Sequence, residues 1–341
     1  MRIAVLGSGS IGTILGALLS KNQQDVVLID SYKEHVDALN ARGAKVIGGI
    51  NETIPVKASL AKDLDGAFDL IFFTTKHMHM NDALDSVLSH IEDSTVVVTL
   101  QNGIPEDFVC EKIGAKRVIG GSVGWGATFI EPGVSELTSD VSGMSVIIGE
   151  LDGSITDRVK EVASILELAG KVTISDNLIG TKWSKVIMNA TSSGMSTVLG
   201  TTFGEVADDM RSYTCEANIA LEGAKVMAAA GISPVAIHGF LPNVETISFG
   251  TKSELEALHP YFSNRIALHR KLIASMLQDI SKGRKTEINE INGKIVEYGI
   301  KYGIPTPFNE KVVEIVTKIQ DGELKPDWSN INFFDLSILI D

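Results

Sequence analysis

Met1-Arg-Ile-Ala-Val-Leu-Gly-Ser-Gly-Ser-Ile-Gly12 opens the chain, and its reading decides the fold. Residues 3–6 form a short apolar run. Gly7, Gly9 and Gly12 follow in the order G-x-G-x-x-G, and residues 14–19 continue as helix formers. The pattern is strand, tight turn, helix. Gly7 lets the chain turn sharply, Gly9 lets a pyrophosphate approach the backbone, and Gly12 lets helix and strand pack closely. The first N–H groups of the helix have no partner within it and face the phosphates. Ser8, Ser10 and Ile11 complete the turn and are candidate cofactor contacts with the three glycines. Glycine-rich turns are common, so context matters. Asp30 closes the next apolar run, Val26-Val-Leu-Ile29, about 18 residues past Gly12, where a dinucleotide-binding unit keeps its ribose-binding carboxylate. The alternative is a phosphate-free turn in some other α/β domain.

Beyond that stretch, 341 residues are enough for two domains. The composition, 44% hydrophobic and 21% charged, is that of an ordinary globular protein. A net charge of -13 argues against non-specific binding to nucleic acid or to an anionic membrane. An anionic substrate therefore needs a local cationic site. Cys110 and Cys215 lack metal-type spacing and read as reduced buried thiols. The first strand leaves no room for a signal peptide, and no apolar run approaches the ~20 residues that span a bilayer. A cytoplasmic protein is the expectation.

Taken in order, residues 32–42 read as a helix stopped by Gly43, and 54–60 as a short strand. Residues 69–75 form a buried strand with Lys76 at its C-terminal end, and 94–100 another that leads into Gln101-Asn102-Gly103. Such strand ends line the ligand crevice of an open α/β sheet. Lys76 there contacts ribose or substrate, or is simply solvated; Asn102-Gly103 is also a plain turn signal. His77 and His79 are two apart, point to different helical faces and have no third partner, so no metal is expected. Short strands at 117–119, 135–138 and 144–148 predict a mixed extension of the sheet, followed by a helix over 154–169 and a strand over 171–174. After Asp176 the strand pattern stops. Helices are predicted over 178–198, 203–230, 253–281, 286–302 and 308–319. The fold class is α/β, an N-terminal Rossmann-type dinucleotide-binding domain (1–176) followed by an all-α substrate and dimerisation domain (177–327), with a cleft between them. Residues 328–341 form a tail with no assigned role.

Lys182-Trp-Ser-Lys-Val-Ile-Met-Asn-Ala-Thr-Ser-Ser193 has an unusual composition for a helix. Lys185, Asn189 and Ser193 stand at i, i+4 and i+8, which puts a lysine and two hydrogen-bonding side chains on one face. That face lines the cleft, or it is a solvated polar stripe.

Several segments together resemble the ketopantoate reductase (2-dehydropantoate 2-reductase) family. They are the Gly7–Gly12 turn, Thr75-Lys76, Leu100-Gln-Asn-Gly103, 126–138 with its Pro-Gly pair, Trp183-Ser-Lys-Val-Ile-Met-Asn189, and Ser275-Met-Leu-Gln-Asp279 through Thr286-Glu-Ile-Asn-Glu-Ile-Asn-Gly293. The resemblance covers nearly the whole chain except the tail. It implies reduction of a 2-oxo acid to the (R)-2-hydroxy acid with a nicotinamide cofactor, and a homodimer built through the helical domain. Position by position it implies that Lys185 is the catalytic lysine and that Asn189, Ser275 and Glu287 hold the substrate. Lys76 and Asn102 match the pair near the nicotinamide ribose and the reaction centre. Two positions depart from the pattern. Ser193 stands where the family often has a second substrate-binding asparagine, and Asp30-Ser31 where users of NADP(H) commonly have an arginine. The first bears on the substrate, and the second favours NAD(H) over NADP(H).

The chemistry of these residues agrees with that reading. Hydride addition to C2 of a 2-oxo acid makes an alkoxide, so a proton donor must lie within ~3 Å of that oxygen. A lysine in a partly desolvated cleft has a lowered pKa and gives up its proton readily. Glu287 cannot bind a carboxylate; it accepts a hydrogen bond from a substrate hydroxyl or orients Lys185. Two other readings stand beside this one. An NADH-dependent D-2-hydroxyacid dehydrogenase for branched or aromatic 2-oxo acids keeps the reaction and changes the substrate. A non-catalytic dinucleotide sensor has no need of Lys185 or Glu287.

Overall fold

The opening strand is paired on both sides, in the interior of a large sheet. In the computed structural model, which describes residues 1–267 and 269–340, the chain divides into two units, Met1–Leu178 and Ile179–Asp341. The strands of the first unit begin with β1 (Arg2–Leu6), β2 (Asp25–Ile29), β3 (Ala44–Gly48), β4 (Glu52–Ile54), β5 (Lys57–Ser59) and β6 (Leu70–Phe73). They continue with β7 (Val96–Thr99), β8 (Val118–Val123), β9 (Ala127–Glu131), β10 (Val134–Leu137), β11 (Ser145–Gly149) and β12 (Lys171–Ile174). Among the described residues they form an eight-stranded sheet, β12-β11-β8-β7-β6-β1-β2-β5, and a four-stranded sheet, β4-β3-β10-β9. In the large sheet β5, β2, β1, β6, β7 and β8 run parallel, and β11 turns antiparallel against β8. β8 and β11 give the mixed extension that the glycine-punctuated strands predict, but the strand expected at 135–138 is β10 of the small sheet, paired with β3 and β9 instead.

Register decides where the connecting loops emerge. Leu6 lies opposite both Ile29 and Phe73, and Phe73 opposite Thr99. The segments starting at Gly7, Asp30, Thr74 and Leu100 therefore leave the sheet along one edge, the carboxyl edge at which open α/β sheets bind ligands.

Helix α1 (Ser10–Lys21) is apolar all round, and Gly12 to Leu19 are all buried. It packs on β2 of the large sheet and on β3, β4, β9 and β10 of the small one, and a helix covered on two sides has no face to leave polar. Helix α2 (Lys33–Arg42) lies against β5. The opposite face of the large sheet is covered by α3 (Met80–Val87) and α4 (Glu106–Ile113), whose Met80, Leu84, Val87 and Val109 join Leu6, Ile71 and Phe73 in a second core. Helix α5 (Asp157–Leu166) precedes β12.

The second unit is helical: α6 (Leu178–Leu199), α7 (Phe203–Asp208), α8 (Met210–Ala229), α9 (Val244–Ile247), α10 (Lys252–Arg265), α11 (Ser275–Ser281), α12 (Asn292–Tyr302) and α13 (Pro307–Gln320). Among the described residues no strand follows β12, so the α/β unit followed by a helical one is as the sequence predicts. No helix of the described residues is long and apolar enough to cross a membrane.

Local differences have local causes. The stretch 54–60 is two strands in two sheets, because Pro55 removes a backbone donor between them. The stretch 203–230 breaks where Asp209 accepts from the backbone N–H groups of Arg211 (2.9 Å) and Ser212 (3.3 Å) and so starts a new helix. Strands β3 and β9 had no signal strong enough to read, since a short strand under a helix does not alternate clearly. The helix expected over 253–281 ends at Arg265 and resumes at Ser275; Leu268 within it, and Asp341 at the end of the tail, lie outside the described residues.

Of Leu221, Val226, Met227, Phe240 and Leu241, whose apolar excess in the sequence suggests a dimer interface, the first four are buried within the chain itself and Leu241 is partly exposed. Their burial is accounted for by the unit's own core. The tail is tied down: Asn330 Nδ2 donates to the Val198 carbonyl at the end of α6 (2.9 Å), and Phe334 stacks on Phe308 at 5.9 Å.

Candidate functional site

In the first unit the glycine turn has the geometry its sequence requires. Gly7 has φ 92°, and a Cβ there would lie 2.7 Å from the Thr75 backbone, so no other residue fits. A Cβ on Gly12 would meet the Gly7 carbonyl and sit 2.7 Å from Thr74 Oγ1. Gly9 is exposed, and nothing approaches its Cβ position within 4 Å. The start of α1 at Ser10 carries no side-chain cap among the described residues. An open glycine beside an uncapped helix start is a cradle that fits the diphosphate of a dinucleotide.

Asp30 sits at the end of β2, partly buried. Its Oδ1 accepts from Tyr32 N (3.0 Å), and its Oδ2 accepts from Ser8 Oγ (3.3 Å). The carboxylate thus helps to open α2 and also ties the glycine turn to the second strand. Each oxygen retains acceptor capacity beyond these bonds. Lys76 and Asn102 are exposed in the segments after β6 and β7. These segments are joined by His77, whose Nε2 lies 2.5 Å from the Asn102 carbonyl. The His77-Met-His79 stretch, a metal candidate by residue type alone, is therefore partly a loop tie. Among the described residues no group of three or more His, Cys, Asp or Glu could hold a metal ion.

In the second unit α6 is nearly all buried. Between Thr181 and Leu199 only Lys185, Met188 and Asn189 reach the surface, on one helical face. Ser193, one turn further, is 8% exposed, which rules out a solvated stripe running through all three polar positions. The Lys185 pKa is lowered to about 8, by burial first and by the neighbouring Lys182 ammonium second, while the Glu287 carboxylate opposes both.

Long-range ties bring Glu287 and Ser275 to this helix. Thr286 and Ile288, on either side of Glu287, are buried, and Thr286 N donates to Gln320 Oε1 (2.5 Å). Asn292 Nδ2 donates to the Ala190 carbonyl (3.2 Å), next to Asn189. At the other end Ala274 N donates to Ser196 Oγ (3.2 Å), and Ser275 follows, exposed, as the first residue of α11. A buried pair clamps α6 from behind. Arg265 and Glu216, each with a side chain 1% exposed, lie 3.1 Å apart. Arg265 also donates to Ser192 Oγ (2.5 Å) and is flanked by the rings of Phe240 and Phe262. Sequence reading missed this pair and His35, and weighed His77 only as a metal ligand, because each acts on a partner far away in the chain.

The chain matches known proteins along most of its length. Residues 3–153 match the model described as "Ketopantoate reductase PanE/ApbA", and residues 177–320 the model of its C-terminal part. A 2-dehydropantoate 2-reductase of Pyrococcus horikoshii is 33% identical over 311 residues, 91% of this chain and 94% of the relative. The structure of D-mandelate dehydrogenase with NADH and anilino(oxo)acetate superimposes with a TM-score of 0.80 at 28% identity, covering 94% of this chain and 99% of that one. A 2-dehydropantoate 2-reductase from Geobacter metallireducens gives 0.77 at 25% identity, with 93% and 99% covered.

Proposed function

We infer that this chain, which belongs to the ketopantoate reductase family, reduces a 2-oxo acid to the (R)-2-hydroxy acid, with 2-dehydropantoate as the leading substrate. The observation that carries this reading is Lys185: a lysine whose pKa is lowered to about 8, on the partly exposed face of a buried helix, with Asn189 one turn on and Glu287 within electrostatic reach.

A nicotinamide dinucleotide, when bound, supplies the hydride. The residues to hold it are Gly7, Ser8, Gly9, Ser10, Ile11 and Gly12 at the diphosphate, Asp30 at the adenine ribose, and Lys76 and Asn102 at the nicotinamide end. Lys185 donates a proton to the substrate carbonyl oxygen as alkoxide charge develops on it, and a donor with a pKa near the working pH is the efficient choice. Asn189, Ser193 and Ser275 satisfy substrate oxygens without adding charge. Glu287 accepts a hydrogen bond from the 4-hydroxyl of 2-dehydropantoate and favours the protonated form of Lys185.

The cofactor reading is NAD(H) over NADP(H). Asp30 accepts hydrogen bonds from a ribose 2′-hydroxyl and repels a 2′-phosphate. A second substrate reading, branched or aromatic 2-oxo acids, is favoured by Ser193, by Asp30 and by the likeness to D-mandelate dehydrogenase. One panel separates them: kcat/KM for 2-dehydropantoate, 2-oxoisovalerate, 2-oxoisocaproate and benzoylformate, each with NADH and NADPH. Highest turnover on 2-dehydropantoate supports the leading reading, and preference for benzoylformate replaces it. Turnover of any of them excludes a non-catalytic dinucleotide sensor.

A further inference from the structure

We propose that His35, as a neutral imidazole, orients the Ser8–Gly9 peptide and so prepares the glycine turn for a pyrophosphate. The inference rests on reading that turn as a dinucleotide site, and it assigns the turn a positioning residue that lies outside the motif.

His35 is 1% exposed on α2. Its two ring nitrogens meet opposite kinds of partner. Gly133 N, in the turn between β9 and β10, donates to Nδ1 at 2.9 Å, and an N–H can only donate. Nδ1 is therefore the acceptor, and the ring proton is on Nε2, 2.6 Å from the Ser8 carbonyl oxygen. Thr13 Oγ1 donates to that same carbonyl, also at 2.6 Å. Both lone pairs of the Ser8 oxygen are thus used, and the carbonyl is pinned inward.

Peptide geometry makes this matter for the ligand. In a trans peptide the C=O and the following N–H point in opposite directions, and among the described residues there is no cis bond. Holding the Ser8 carbonyl toward His35 aims the Gly9 N–H away from it, on the residue that is exposed and open. A turn that is held in this orientation before binding loses less freedom when an anion arrives.

The ring is held by packing as well as by hydrogen bonds. Phe129 of β9 meets it edge-on at 5.1 Å between centroids. Asp30 is the charged group acting on the ring, and Arg42 donates to the Pro132 carbonyl of the same turn as Gly133. Burial holds the His35 pKa below the ordinary histidine value, with the Ser8 bond and Asp30 opposing. The neutral form that the two hydrogen bonds require is therefore also the form that burial favours.

The test measures NADH affinity by fluorescence titration, with cofactor KM and kcat, for wild type and His35→Phe. Phe keeps a ring against Phe129 and loses both hydrogen bonds. We expect cofactor Kd and KM to rise roughly 10-fold, the size of one or two lost bonds, with kcat at saturating cofactor within twofold. Wild type that binds NADH with His35→Phe binding equally well overturns the role of His35. Wild type that binds no dinucleotide overturns the reading of the site instead. If His35→Phe does not fold, Thr13→Val removes the other donor to the same carbonyl and is expected to weaken Kd several-fold; unchanged affinity counts against the proposal. Independently, ¹⁵N shifts of the wild-type histidine at pH 7 should report a neutral Nε2–H ring, and an Nδ1–H tautomer or imidazolium would overturn it.

Discussion

Lys182 stands one helical turn ahead of Lys185, is 3% exposed, and its positive charge disfavours the protonated form of Lys185. Glu287, brought in from a distant loop, acts in the opposite sense. If Lys185 is the proton donor, reductive kcat/KM is full below about pH 8 and falls as pH rises through that value. Lys182→Met should move this basic limb to higher pH, and Glu287→Gln should move it to lower pH. A limb that stays in place in both variants removes Lys185 as its source.

Lys185→Ala should reduce kcat by on the order of 10²- to 10⁴-fold, the range for losing a general acid. Cofactor affinity should change little. Near wild-type turnover would take this lysine out of the mechanism.

Glu287→Ala should raise KM more for 2-dehydropantoate than for 2-oxoisovalerate, which lacks the hydroxyl. Equal losses on the two substrates would show that Glu287 does not read that group and acts only through Lys185.

Asp30 places a carboxylate beside the glycine turn, bonded to Ser8 Oγ and Tyr32 N. Placing a 2′-phosphate there should favour NADH over NADPH by roughly 10- to 100-fold in kcat/KM. Asp30→Ala should narrow the ratio, and a clear NADPH preference in wild type would refute the assignment.

The Arg265–Glu216 pair concerns stability. Arg265→Ala leaves a buried carboxylate without its cation and should cost about 3–5 kcal/mol in denaturant unfolding. The double variant Arg265→Met, Glu216→Leu should recover most of that. A loss under about 1 kcal/mol in the single variant would mean that water reaches Glu216.

The sequence by itself determined the succession of an α/β half and a helical half, and the glycine turn. Both depend on contacts within a few residues: an apolar run, a residue free to take positive φ at Gly7, and a small residue at Gly12 where the helix crosses the strand. It also put Lys185 and Asn189 on one face, because helical periodicity is local. Tertiary structure decided what the local pattern leaves open. Pro55 splits one expected strand between two sheets, and Ser193, on the same stripe as Lys185, is buried where Asn189 is not. Glu287 acts on Lys185 only because Thr286, Ile288 and Asn292 anchor its loop to the core. His35 acts on Ser8 only because α2 packs back beside the turn and a small second sheet supplies Gly133. For Glu287 and His35 the energy comes from desolvation and from hydrogen bonds between residues far apart in the chain, and neither leaves a periodic mark on the sequence.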